Sequence, residues 1–417
     1  MAAPRSTEPA TSQEQGEASD PAKSSATGSM YGRDFWLVFG ATFALNSCSN
    51  MFALFPLWVV ERGGGASAIG AIVATGSLFA LLARPYVGWA IDRHGRKATS
   101  LRFLVLEVIA LALYLPLGSL GWPIYVVRAI HGAVDGVARV ALFAMVYDLL
   151  PAGRQGEGMS IFSICGMGSA ALAPMVGEIL IRRLGFDAFF VAAVVLVAIG
   201  AMLAARLRDD RPPAHREHHE APPDVPGYPA LLRDHSLQPL WIVTMLFSLA
   251  ISSRLSFVAP LAYAKGAVSV GGYFFIYSTI GVVTRVAGRR VLDRIGLGRV
   301  LLPSLVVLAI GLALIAGTGH YDLLAVAAVI GGIGHGYLYP ALSAMVIMRT
   351  DTNAMGRSSS IYTSLYDVGT FVGPYVLGVV GAHFGYAQLF IVAGALSGIA
   401  AAYFVVVEPH SIRPTQT

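Results

Sequence analysis

The chain has 417 residues, 55% of them hydrophobic and 13% charged, with a mean hydropathy of +0.65. A soluble domain is typically about a quarter charged, so this composition excludes an ordinary soluble globular protein and indicates a polytopic membrane protein. The net charge of +5 does not require a nucleic-acid partner in so apolar a chain, because basic loops gathered on one side of a membrane produce it.

Residues 1–30 are rich in Ser, Thr, Glu, Ala and Pro and lack the apolar core of a signal peptide, so they read as a disordered cytoplasmic tail. With about twenty apolar residues per crossing, six spans follow at 35–60, 68–91, 100–119, 121–150, 158–184 and 185–206. A polar loop at 207–236 separates them from six more at 237–263, 270–292, 299–318, 320–349, 357–382 and 384–407, and 409–417 form a short tail. The expected fold is therefore all-α, with twelve transmembrane helices in two six-helix bundles, 31–206 and 237–408. With the N-terminus inside, 16 Lys and Arg residues fall in inner loops. Only Arg62, Arg182, Arg183 and Lys265 fall outside. That asymmetry places both termini of a multi-pass membrane protein in the cytoplasm.

Span 1 carries Asn46 and Asn50, four apart on one helical face, suited either to a polar ligand or to helix–helix hydrogen bonds. Span 3 carries Glu107. Span 4 carries Arg128, His131, Asp135 and Arg139. Steps of four, three and four put Arg128, Gly132, Asp135 and Arg139 on one helical face. A charge at membrane depth is costly and faces a protein interior or an aqueous cavity. The stripe is thus either a structural ion pair or part of a functional site. Glu178 in span 5 and Asp367 in span 11, near Tyr366, complete the buried carboxylates. Desolvation favours the protonated form of such groups, and Arg84, Arg254 and Arg285 are available as pairing partners.

Candidate proton carriers are therefore Asp135, Glu107, Glu178 and Asp367, with Asp135 first. Candidate substrate contacts are Asn46, Asn50, His131, Arg139, Arg254, His335 and Tyr366. The linker histidines His215, His218 and His219 have no rigid element to fix a metal geometry and read as solvated. Cys48 and Cys165 lie inside apolar spans as packing residues. No phosphate loop, nucleophile elbow or metal-ligand cluster is present in the spans. Neither an enzyme nor a bound cofactor or metal is expected, and coupling to an ion gradient is the default.

The halves repeat at an offset of about 200 residues. Arg84 precedes Asp92-Arg93 by eight residues, as Arg285 precedes Asp293-Arg294. Gly95 corresponds to Gly296, Ala144-Met145-Val146 to Ala344-Met345-Val346, Pro174 to Pro374, and Gly185 to Gly385. Parallel repeats of this kind place a substrate site at the interface between bundles.

The run Gly88-Trp89-Ala90-Ile91-Asp92-Arg93-His94-Gly95-Arg96-Lys97 resembles the signature loop of the major facilitator superfamily, and the resemblance extends over about 35–407. In physical terms, Gly88 removes a Cβ where span 2 meets a neighbour, and Gly95 allows a tight turn. The resemblance implies that Asp92 sits against the positive N-terminus of span 11 and that Arg96 pairs with Asp148, latching an inner gate. Arg128 followed by Gly132 resembles a family motif implicated in proton coupling. Span 11 keeps the Gly-Pro pattern of efflux members at Gly373-Pro374. Span 5 departs from that pattern at Ala173 and Glu178.

The expected function is a secondary transporter exporting a drug, sugar or metabolite against protons, acting as a monomer in the lipid bilayer. The alternatives are a proton symporter importing an organic anion and a membrane receptor or scaffold without flux.

Overall fold

The computed structural model describes residues 31–151, 154–208, 226–266, 269–317 and 321–408. Both expected tails and the three linker histidines lie outside them. Ten helices are long and apolar enough to cross a membrane. One of these, Glu157–Ala205, breaks at Gly185 into spans 5 and 6. Span 3, Arg96–Ala112, has only 17 residues and falls just short of the ten. Counting both, the chain makes twelve crossings.

Two helices depart from the expected bounds, and proline explains each. Span 1 is not one helix: Arg33–Met51 passes through a 3-10 turn at Phe52–Leu54 into Phe55–Glu61. Pro56 has no N–H for the carbonyl of Phe52, and its ring crowds that carbonyl, so the ladder tightens there. Span 3 starts four residues early and ends at Ala112, because Pro116 disfavours helix at the residue before it and leaves turns at Leu113–Pro116.

Four junctions have no loop at all. His94 and Arg96 are joined by Gly95 (φ 78°), Ile295 and Leu297 by Gly296 (φ 92°), Leu184 and Phe186 by Gly185 (φ 81°), and Phe384 and Tyr386 by Gly385 (φ 89°). Each is a left-handed conformation that side chains with a Cβ adopt at a cost, which glycine avoids. Two pairs of glycines related by the internal repeat thus make the same bend, and the sequence symmetry is present as backbone geometry.

Spans 1–6 pack on one another, as do spans 7 (Gln238–Ala264), 8 (Val270–Ile295), 9 (Leu297–Ala316), 10 (Tyr321–Met348), 11 (Met355–Phe384) and 12 (Tyr386–Val407). Between the halves, span 2 (Ala66–His94) meets span 11, and span 5 meets span 8. At the side the loop charges mark as outer, Gly70 lies against the backbone of Pro374, and Gly378 against the Ala66 carbonyl, with no room for a Cβ at either. The inner end of span 2 is different. Gly88 is exposed and a Cβ there would meet nothing, which corrects the expectation of a close contact. The halves therefore pack closely at the Gly70 and Gly378 end of spans 2 and 11, while Gly88 at the other end of span 2 has no neighbour.

Candidate functional site

Span 4, Trp122–Leu149, is apolar enough to cross and still holds its charges because two polar networks receive them. The first joins spans 1 and 4. Arg139 pairs with Asp135 one turn earlier, donates through Nη1 to Asn46 Oδ1 at 2.9 Å, and donates through Nη2 to Ser49 Oγ at 2.9 Å. Ser49 in turn donates to Asp135 Oδ1 at 2.9 Å. Asn50 donates to the Asn46 carbonyl at 2.9 Å and to Ser169 Oγ of span 5 at 3.1 Å. Asn46, Asn50 and Arg139 were expected to contact substrate, and here they bond to other protein groups. Ser49 was not foreseen, although its spacing from Asn46 and Asn50 put it on their helical face.

The second network runs from span 4 to span 3. His131 lies between the Tyr114 hydroxyl, 2.9 Å from Nδ1, and Glu107 Oε1, 2.9 Å from Nε2. Arg128 Nη1 reaches the Tyr114 oxygen at 3.4 Å and His131 Nδ1 at 3.5 Å, and its guanidinium lies 5.3 Å from the centre of the Phe55 ring. Nδ1 thus faces the Tyr114 hydroxyl and Arg128, and Nε2 faces Glu107. Glu107 is 0% exposed. Its contact with His131 is at ion-pair distance but off the line of a good hydrogen bond, and neither carboxylate oxygen has a hydrogen-bond partner among the described residues.

His131, expected as a substrate contact, is 5% exposed, packs edge-on against Phe52 at 4.8 Å and does not line the cavity between the halves. Tyr114 was missed, though it sits seven residues after Glu107 on the same helical face. Gly132 lies directly on the backbone of Gly76 in span 2, leaving no room for a Cβ. That approach also brings the Arg128 guanidinium over Gly76.

Between the halves, at mid-depth, is a cavity of about 290 Å³. Ser163, Gly166, Met167 and Ala170 of span 5 line one wall. Arg254, Tyr277, Ser278, Arg285 and His335 line the other. Arg254 and His335 thus stand where substrate contacts were expected. Tyr366 does not line this cavity. It packs 5.9 Å from Phe247 and 5.5 Å from Tyr339.

The remaining candidates join or flank the halves. Asp367 of span 11 pairs with Arg84 of span 2. Glu178, expected to carry a proton, is instead a helix cap: it accepts from the backbone N–H of Val270 at 3.0 Å and of Gly271 at 2.6 Å, and from Ser269 Oγ at 3.0 Å. Arg182 pairs with it at 2.9 Å. A carboxylate of span 5 therefore occupies the positive N-terminus of span 8, across the interface. Arg96 pairs with Asp148, but spans 3 and 4 belong to the same half, so this pair does not itself bridge the halves. Asp92 and Arg93 are exposed at the inner end of span 2. Among the described residues no contact of Asp92 with the N-terminus of span 11 is found, and Arg93 instead lies 5.5 Å from the Trp89 ring.

A sequence profile described as Major Facilitator Superfamily matches residues 37–298 and 273–417. The chain is 25% identical over 370 residues to the multidrug resistance protein MdtG of Escherichia fergusonii, covering 86% of this chain and 88% of that one. It is 27% identical over 345 residues to the MdtG protein of Dickeya zeae, covering 80% and 83%. Among solved structures, the nucleoside transporter NupG superposes with a TM-score of 0.75 at 15% identity, covering 89% of this chain and 98% of that one. A POT family transporter in complex with a thioalcohol-conjugated peptide gives 0.74 at 13% identity, covering 92% and 96%.

Proposed function

The chain belongs to the major facilitator superfamily, and we propose that within it this protein is a proton-coupled exporter of small molecules, working by alternating access at the bacterial inner membrane. The relatives named for multidrug resistance support export, and the cavity between the halves supplies a place for cargo.

Glu107 carries the coupling assignment. Glu107 is 0% exposed, and among the described residues His131 is the one side chain at ion-pair distance from it, so a bare charge there is costly and a bound proton removes it. Tyr114 and Arg128 continue the chain of polar contacts from His131. In this reading Glu107 binds the proton, and His131 with Tyr114 relays it. Arg128 lies on the Nδ1 side of His131. Asp135, the first candidate from sequence, is engaged by Arg139 and Ser49 and serves to position span 4 against span 1.

Proteoliposomes carrying a pH-sensitive dye, given a panel of cationic, neutral and anionic aromatic drugs, test the coupling. Wild type should move protons when a transported drug is added, and Glu107→Gln should cut that movement at least about tenfold, a barrier change of roughly 1.4 kcal/mol. Undiminished proton movement in Glu107→Gln refutes the assignment. Import of an anion with a proton is the second reading, favoured by the two cavity arginines. The sign of the pH gradient that drives uptake separates it from export.

A further inference from the structure

The cavity between the halves contains positive charge with nothing to balance it. Arg254 and Arg285 both line it, and no Asp or Glu does. Among the described residues neither arginine makes an ion pair. The Arg254 guanidinium lies 4.3 Å from the centre of the Tyr277 ring and 5.5 Å from that of Phe274, and its buried Nε has no hydrogen-bond acceptor. Arg285 Nε donates to the Gly336 carbonyl at 3.2 Å, a neutral acceptor.

The other arginines at membrane depth are treated differently. Arg84 has Asp367, Arg139 has Asp135, and Arg128 belongs to the contact chain ending at Glu107. Uncompensated cations in a poorly solvated interior favour an anion and disfavour a cation. The rest of the wall is not phosphate-like in character. Met167, Ala170 and Val282 supply apolar surface, and the buried Tyr277 ring backs Arg254. Ser278 and His335 add hydrogen-bonding groups beside the arginines.

We propose that this cavity takes organic anions, small molecules with one anionic head group and a planar apolar body. The head group sits between the Arg254 and Arg285 guanidinium groups, where planar forks match carboxylate oxygens. The body lies against Met167 and Ala170 of the span 5 wall and against Val282. This inference rests on the reading of the cavity as the cargo site, but it concerns binding and does not require proton coupling.

The test compares three probes on one ring system, 2-naphthoate, 2-naphthamide and 2-naphthylmethylammonium, with sulfate as an inorganic control. Each is titrated into purified full-length protein in detergent, with thermal stability as the readout. Naphthoate should stabilise the protein saturably, and the amide, the ammonium and sulfate should need at least about tenfold higher concentration. Arg254→Gln and Arg285→Gln should each raise the naphthoate midpoint at least about tenfold, whereas Arg285→Lys, which keeps the charge, should stay nearer wild type. Size-exclusion profiles check that each variant is folded. If either Gln variant is misfolded, the probe preference of the wild type and the Arg285→Lys result decide the matter. Equal or tighter binding of the ammonium or amide overturns the proposal. So does sulfate matching naphthoate, which would make this a site for inorganic anions. Naphthoate binding without any flux would count against the exporter reading and leave this inference standing. Export of cationic drugs without naphthoate binding would do the reverse.

Discussion

Two carboxyl groups on neighbouring helices, Asp135 and Glu107, sit at similar depth and have opposite surroundings. Asp135 accepts from Arg139 and Ser49, whereas Glu107 faces only a histidine. Replacing each by its amide should therefore have opposite effects on stability. Asp135→Asn strands Arg139 beside lost charge and should destabilise the protein by about 1–2 kcal/mol, below the 3–5 expected for a fully buried pair because the Arg139 side chain is 41% accessible. Glu107→Gln removes a desolvated charge at constant shape and should leave the melting temperature unchanged or raised. Thermal unfolding in detergent reads both, and a larger loss for Glu107→Gln would contradict this division of roles. The Asp135–Arg139 pair was legible in the sequence because four residues is one helical turn. The isolation of Glu107 was not, since it depends on which helices happen to face span 3. Tyr114 and Ser49 lay within reach of the same periodicity.

At the level of helices, glycine positions follow from two distinct needs. Gly95, Gly185, Gly296 and Gly385 are required by backbone conformation. Gly132 is required by distance, because span 4 touches the span 2 backbone at Gly76. Gly132→Val forces those helices apart and should cost about 1–3 kcal/mol. It should also separate Arg128 from Tyr114, so lower thermal stability should come with weakened proton movement. Normal stability in that variant would mean the helices have slack there. The repeat made the four turns readable in advance. Contacts between halves were harder, because nothing local specifies them. Glu178 looked like a lone buried carboxylate and is in fact a cap on a helix 91–93 residues later in the chain. Gly88 looked like a packing glycine and is exposed in the state observed.

For the molecule as a whole, the halves meet through spans 2 and 11 and through spans 5 and 8, and Glu178 supplies a polar contact between the latter pair. Losing it removes acceptors for two backbone N–H groups and a hydroxyl, and 1.4 kcal/mol of that suffices to shift a two-state balance tenfold. Spin labels at Leu184→Cys and Tyr263→Cys, exposed residues at the outer ends of spans 5 and 7, report the gap between halves. Glu178→Ala should lengthen that distance or broaden its distribution. An unchanged distribution would show that the Gly70–Pro374 and Gly378–Ala66 packing suffices to hold the halves together there. Asp92 is exposed, and among the described residues it makes no contact with the N-terminus of span 11.

The four single-glycine junctions have a mechanical meaning as well. Spans 2 and 3, 5 and 6, 8 and 9, and 11 and 12 are each joined with no spare chain, so each pair is a stiff hairpin with fixed reach. Any rearrangement that changes the cavity has to pass through the longer connections, leaving these pairs to move as levers. A short peptide tag inserted beside Gly95 or Gly385 should therefore disable the carrier, while the same tag placed within 207–236, the stretch between its halves, should be carried without loss.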